Sequence, residues 1–86
     1  MGKIVVLVPA FNEASVIADI LRDIARAGYP HIIVVDDGSS DRTYQSARQV
    51  EGVIALRHFI NRGKGAAVKT GIEAAKLLEA DVVVTM

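Results

Sequence analysis

The sequence predicts an α/β fold in which helices cover a parallel sheet, one half of a doubly wound sandwich of three layers. Two observations carry that prediction. Four short, β-branched and almost continuously apolar runs recur along the chain, and three segments with helical spacing separate them. Runs of this kind suit strands buried on both faces, the habit of a parallel sheet under helices. The order is β-α-β-α-β-α-β, and right-handed crossovers then give the strand order 3-2-1-4. Ligands in such sheets bind beyond the carboxyl ends of the strands, near the reversal between the first and fourth strands.

The first strand is Ile4-Val5-Val6-Leu7-Val8. The helix after it carries Val16, Ile17, Ile20, Leu21, Ile24 and Ala25 as one apolar stripe, with Asn12 as its N-cap and Gly28 and Pro30 ending it. Ile32-Ile33-Val34-Val35 forms the second strand. The second helix turns Tyr44, Ala47 and Val50 inward, draws caps from Ser39-Ser40-Asp41 and is closed by Gly52. Val53-Ile54-Ala55-Leu56 is the third strand. The third helix places Val68, Ile72, Ala75 and Leu78 on one face, where Gly71 and Ala74 let the backbone approach a sheet. The fourth strand, Val82-Val83-Val84, sits in a stretch from Asp81 to Met86 that has no edge-protecting Lys, Pro or bulge residue. It reads as an interior strand. The expectation is that residues 1–86 are an incomplete portion of a larger domain, and that strand 82–86 pairs with its counterpart in a symmetric homodimer.

Hydrophobic residues make up 51% of the 86 and charged residues 23%, which suits a folded chain and not a disordered one. The length allows one domain, at a size where core burial only narrowly exceeds the entropy of ordering. Ten Lys and Arg against ten Asp and Glu leave no net charge, so the basic face that nucleic-acid binding needs is missing. Without cysteine there is no disulfide, thiolate metal site or Cys nucleophile, which fits a reducing compartment. The longest apolar run, Ile4 to Phe11, contains Pro9 and falls far short of the roughly 20 residues that cross a bilayer. No small-residue cleavage site follows it, and Val6 stands where a myristoylation signal has Ser or Thr. The segment therefore reads as soluble and cytoplasmic, with any membrane association left to sequence outside it.

Chemistry is expected in the loops after the strands. Pro9-Ala10-Phe11-Asn12-Glu13 has no glycine, so it cannot wrap a pyrophosphate as a dinucleotide fingerprint does. It offers instead an aromatic face at Phe11 and a carboxylate at Glu13, suited to a base and a ribose. The plainer alternative keeps Phe11 in the core and uses Glu13 to complement a helix dipole. In Asp36-Asp37-Gly38-Ser39-Ser40-Asp41 the two adjacent carboxylates leave a strand in opposite directions. One is expected to order the loop through backbone N–H groups and the other to face the cleft, while Gly38 permits the tight turn; a solvated capping turn is the alternative. Arg57-His58-Phe59-Ile60-Asn61-Arg62-Gly63-Lys64-Gly65 is neither a Walker A loop nor a G-x-G-x-x-G turn. Lys64, between two glycines, still projects a charge from a backbone that approaches closely. His31 and His58 have no partner in the sequence pattern and read as surface or loop histidines, with no metal site among them.

Taken together, Val8-Pro9-Ala10-Phe11-Asn12-Glu13, Val34 to Thr43, Asn61-Arg62-Gly63-Lys64-Gly65-Ala66-Ala67 and Asp81 to Met86 resemble the opening of an inverting family-two glycosyltransferase. The Asn61 to Gly65 stretch is most similar to the dolichyl-phosphate mannose or glucose synthase branch. The resemblance implies a Rossmann-like half of a GT-A domain and transfer of a sugar from a UDP- or GDP-sugar to an acceptor, a polyprenyl phosphate. It implies that Pro9, Phe11 and Glu13 line the base and ribose pocket, that Asp37 recognises the base and that Lys64 contacts the nucleotide. Asn12, Asp36, Gly38, Gly63 and Gly65 are assigned to ordering the loops. Many relatives carry Tyr where Phe11 stands, so a phenolic hydrogen bond is lost and a stacking face kept. The divalent cation of the family, Mg or Mn, would be held by a D-x-D motif beyond Met86. This segment is thus expected to hold a nucleotide half-site, with no catalytic or metal residue, and to be inactive alone. A stand-alone nucleotide-binding or interaction module is the competing class. A phosphorylation receiver is excluded because Pro9-Ala10 and Arg57-His58 occupy its acidic positions.

Overall fold

The structure, a computed structural model, describes residues 2–86. Seven elements alternate: β1 (Ile4–Ala10), α1 (Ile17–Arg26), β2 (Ile32–Asp37), α2 (Thr43–Arg48), β3 (Val53–His58), α3 (Lys64–Leu77) and β4 (Val82–Thr85). The strands form one parallel sheet in the order β3-β2-β1-β4, as the crossover rule requires. Leu7 sits opposite Ile33 on one side and Thr85 on the other, while Asp37 lies opposite His58. The first three strands each end two residues later than the apolar runs suggest, so Pro9, Ala10, Asp36, Asp37, Arg57 and His58 all belong to the sheet. That extension carries the polar residues to the rim in fixed alternation.

Alternation splits the core in two. Val6, Val8 and Ala10 of β1, with Ile32 and Val34 of β2, face Ile17, Leu21 and Ile24 of α1 and Ala47 of α2. Val5, Leu7, Ile33 and Val35 face the other way, onto Ala67 and Ala75 of α3. Every residue of β2 is buried, which is why its sequence shows no polar alternation until the rim. Two helix faces differ from the periodicity. On α1, Ile17, Leu21 and Ile24 are buried, while Val16 and Ala25 lie exposed at its margins. On α3 the buried line is Ala67, Gly71 and Ala75, and Ile72 is turned to solvent. The sheet selects the smallest side chains of α3 because the helix lies close against it. Asn12 is not a helix cap: α1 starts at Ile17, its N-terminal flank Val16 has no side-chain cap, and Asn12 adopts φ 51° in the preceding turn.

Among the described residues, β4 pairs with β1 alone. Val83 packs against the α3 cluster, while Val82 and Val84 are largely exposed. Lys3 secures its start, donating its backbone N–H to Asp81 Oδ2 at 2.6 Å and its Nζ to the Leu78 carbonyl at 2.9 Å.

Helix α3 lies close against the sheet at Gly71, where an added Cβ would stand 2.0 Å from Leu7 Cδ1 and 2.9 Å from its Cγ. Leu7 is fully buried and cannot swing aside. Alanine normally favours a helix interior by about 1 kcal/mol over glycine. Here overpacking opposes it, at roughly 1–3 kcal/mol. Gly71→Ala is therefore expected to lower the denaturation midpoint, and a variant as stable as the parent chain would show that α3 can shift outward freely.

Candidate functional site

Three strand ends build one site. Pro9 and Ala10 close β1, and the chain then turns through Phe11, Asn12 and Glu13. Asn12 ties this turn to the one after β2: its backbone N–H donates to Ser39 Oγ at 2.8 Å, and its Oδ1 accepts the Ser40 N–H at 2.9 Å. The Glu13 N–H donates to Thr43 Oγ1 at 2.8 Å, and its carbonyl accepts the Val16 and Ile17 N–H groups. Asp41 joins the same network, accepting the Thr43 N–H, the Thr43 hydroxyl and the Ala14 N–H. The Thr43 hydroxyl above all outweighs partial burial and holds the Asp41 carboxyl below its ordinary value. Of the Ser39-Ser40-Asp41 trio, Asp41 serves the first helical N–H of α2, and the serines serve the neighbouring loop.

Asp36 and Asp37 leave β2 on opposite faces. Asp36, on the α1 side, accepts the Ser39 backbone N–H at 3.3 Å and the Ser39 hydroxyl. Asp37, on the α3 side, is 4% exposed. Its Oδ1 accepts the Arg62 N–H at 2.9 Å and meets His58 Nδ1 at 2.8 Å, and its Oδ2 accepts the Gly63 N–H at 2.8 Å. Burial would raise the Asp37 carboxyl, but the Arg62 N–H, the His58 ring and the Gly63 N–H outweigh it and hold it below the ordinary value. The expected division of labour, one carboxylate for the loop and one for the cleft, is thus incomplete. Both order backbone, and Asp37 also faces the cleft.

His58 corrects the sequence reading most sharply. It is no surface histidine: it is 8% exposed, with Nε2 at 2.8 Å from Thr70 Oγ1 of α3 as well as Nδ1 on Asp37. The missed signal was period two: Leu56 faces α3, so a strand running two residues further turns His58 the same way. His31, by contrast, is exposed.

The loop after β3 crosses directly over the turn after β2. Asn61 Nδ2 donates to the Asp37 carbonyl at 3.2 Å. Gly38 has φ 72°, and an added Cβ would lie 2.3 Å from the Ile60 carbonyl carbon. Gly63, at φ 98°, begins α3 and leaves Lys64 as its first residue. Gly65 falls inside the first turn of α3, and a Cβ there would meet nothing within 4 Å. No contact requires a glycine at that position.

These loops enclose an open cavity of about 390 Å³ lined by Pro9, Phe11, Glu13, Asp37, Asn61 and Lys64, among others. All five residues assigned to a nucleotide by resemblance stand on its wall. Phe11 is 47% exposed there, which rules out the core placement that the plainer alternative gave it. Asn61 was quoted only as part of a motif, yet it both closes the loop and lines the cavity.

Residues 5–86 match the family described as Glycosyl transferase family 2. The chain belongs to that family. Among its relatives, a protein of Methanocaldococcus jannaschii is 47% identical over 83 residues, 96% of this chain and 34% of that one. The UDP-N-acetylglucosamine–dolichyl-phosphate N-acetylglucosaminyltransferase of Methanococcus voltae is 35% identical over 98 residues, covering 95% of this chain and 39% of the relative. Glucosyl-3-phosphoglycerate synthase from Mycobacterium tuberculosis, solved with Mn2+, UDP-glucose and phosphoglyceric acid, superposes with a TM-score of 0.81 at 26% identity. That comparison covers 99% of this chain and 32% of the synthase. The chain spans about a third of the length of the curated relatives it matches.

Within the family-two frame the strand order and the loops at the carboxyl rim are accounted for together. The Mn2+ of the synthase structure has no fitting donor set here: among the described residues no group of three His, Cys, Asp or Glu could hold a metal ion. No helix among them is long and apolar enough to cross a membrane.

The geometry at Gly38 gives a test of how the loops depend on each other. Gly38→Ala places a methyl against the Ile60–Asn61 peptide from a backbone with positive φ, two penalties of about 1–3 kcal/mol each. The variant is expected to lose stability on that scale in urea melts and to expose the Arg62 and Gly63 amides to hydrogen exchange. Unchanged protection at those two amides would show that the crossing is not needed to seat them.

Proposed function

We propose that the cavity receives the nucleotide of a nucleotide-diphospho-sugar, and that residues 1–86 are the N-terminal, nucleotide-binding part of a glycosyltransferase catalytic domain. One observation carries this: side chains from three loops far apart in sequence, an aromatic face, two carboxylates and a lysine, converge on a single cavity of nucleotide size. Phe11 supplies the stacking surface for a base, and Asp37 accepts a base N–H. Glu13 faces the ribose hydroxyls and Lys64 meets negative charge on the nucleotide.

The reaction served is transfer with inversion to an acceptor, a polyprenyl phosphate. An acceptor phosphate oxygen forms its bond to the anomeric carbon as the bond to the diphosphate breaks, and the nucleoside diphosphate leaves with that electron pair. Two relatives support a polyprenyl phosphate as acceptor, a dolichyl-phosphate N-acetylglucosaminyltransferase and a dodecaprenyl-phosphate galacturonate synthase. A Mg or Mn ion, when bound, would neutralise charge on the leaving group; none of the described residues is assigned to hold it. The described residues hold and orient the donor; none is assigned to the chemical step.

Calorimetric titration tests the site. A uridine or guanosine diphosphate is expected to bind, and Phe11→Ala to weaken it roughly tenfold, since base–aromatic stacking is worth about 1–3 kcal/mol. The 86-residue chain itself is expected to show no sugar transfer from either nucleotide sugar. Failure of both nucleotides to bind at millimolar concentration, or turnover by the isolated chain, would overturn the assignment.

Assembly belongs to the same proposal. The apolar edge of β4 would continue the sheet across a symmetric pair of copies. Light scattering at high concentration should then report a dimer that Val84→Lys, at an exposed position of β4, disperses, and a monomer throughout would rule this contact out.

A further inference from the structure

We infer that the cavity selects uracil over guanine, because Asp37 has one acceptor position left, and that His58 is the positioning residue enforcing the choice. The inference rests on the nucleotide reading above and goes on to name the base. An ionised carboxylate offers about four lone-pair positions, two on each oxygen. Asp37 Oδ1 spends both, on the Arg62 N–H and on His58 Nδ1. Oδ2 spends one, on the Gly63 N–H. The remaining position is on Oδ2 of a side chain that is nearly closed to solvent but borders the cavity.

The two bases present different edges to that single acceptor. Uracil carries one imide N–H between two carbonyls, so one acceptor satisfies it. Guanine presents N1–H and N2–H side by side and pairs with a carboxylate by engaging both oxygens at once. Here its second donor would face an oxygen already filled by two N–H groups, donor against donor. A desolvated donor without an acceptor costs enough to lower affinity roughly tenfold or more.

Of the three groups that fill Asp37, two are backbone amides and cannot be changed by substitution. His58 is the third, and it is held from behind by Thr70, which fixes the ring in its plane. Its two nitrogens do separate jobs. Nδ1 occupies the acceptor that guanine would need, and Nε2 anchors the ring to α3. Asparagine places an N–H where Nδ1 stands, while glutamine reaches toward Thr70 but leaves Oδ1 open.

Parallel titrations of the chain with UDP and GDP test this. The unmodified chain should bind UDP at least roughly tenfold more tightly than GDP. His58→Asn should keep that preference, and His58→Gln should reduce it to within about threefold, mainly by improved GDP binding. Circular dichroism of both variants reports folding, and the parent chain's ratio needs no variant at all. Equal binding of the two nucleotides by the parent chain overturns the selection while leaving the nucleotide site in place. An undiminished preference in a folded His58→Gln chain overturns the role of His58. Binding of neither nucleotide overturns the nucleotide reading, and this inference with it.

Discussion

The site depends on one buried carboxylate and the donors gathered around it. Asp37 ends β2, accepts the two backbone N–H groups that lead into α3, and holds a histidine that is itself bonded to the middle of α3. A carboxylate this enclosed would be costly if unpaired. The helix that starts at Lys64 brings the positive end of its dipole to the same place, which favours the ionised form. Strand, loop and helix are therefore joined by a charge that is stable only while all its donors stay in position.

That joint explains why the neighbouring geometry is so specific. The β3–α3 loop must lie flat across Gly38 for its amides to reach Asp37, and a side chain at residue 38 would occupy that path. The flat crossing turns Phe59 outward, where it is 92% exposed, and presents Asn61 and Lys64 to the cavity. On the opposite face of the sheet, Asp36 performs a smaller version of the same task, binding only its own turn. Two identical side chains in sequence take unequal roles because a strand sends them to different layers.

Much of this was legible from residue order. The apolar runs and glycine-marked helix ends define seven elements, and right-handed crossovers in a doubly wound pattern give their strand order. The five residues that the resemblance assigns to a nucleotide, Pro9, Phe11, Glu13, Asp37 and Lys64, line one cavity. What escaped was whatever depends on where a strand stops. Because β3 runs on to His58, a residue that looks like part of a polar loop becomes an interior one opposite Asp37. Ile72 misled for a related reason: hydropathy favours the larger side chain for burial, whereas close approach to Leu7 admits only glycine and alanine. Asn12 looked like a cap because its type and position are right, yet its left-handed backbone spends the side chain on a neighbouring turn instead.

The cavity wall is assembled from segments starting at Pro9 and ending at Ala67, so nearly sixty residues of chain separate its extremes. No fragment of the sheet can offer the complete wall, and an unfolded chain offers none of it. Any occupant is consequently coupled by mass action to the whole cooperative unit, raising its unfolding free energy by RT ln(1 + [L]/Kd). Whatever fills this cavity then acts as a structural ligand as well, and its concentration sets how long the folded wall persists.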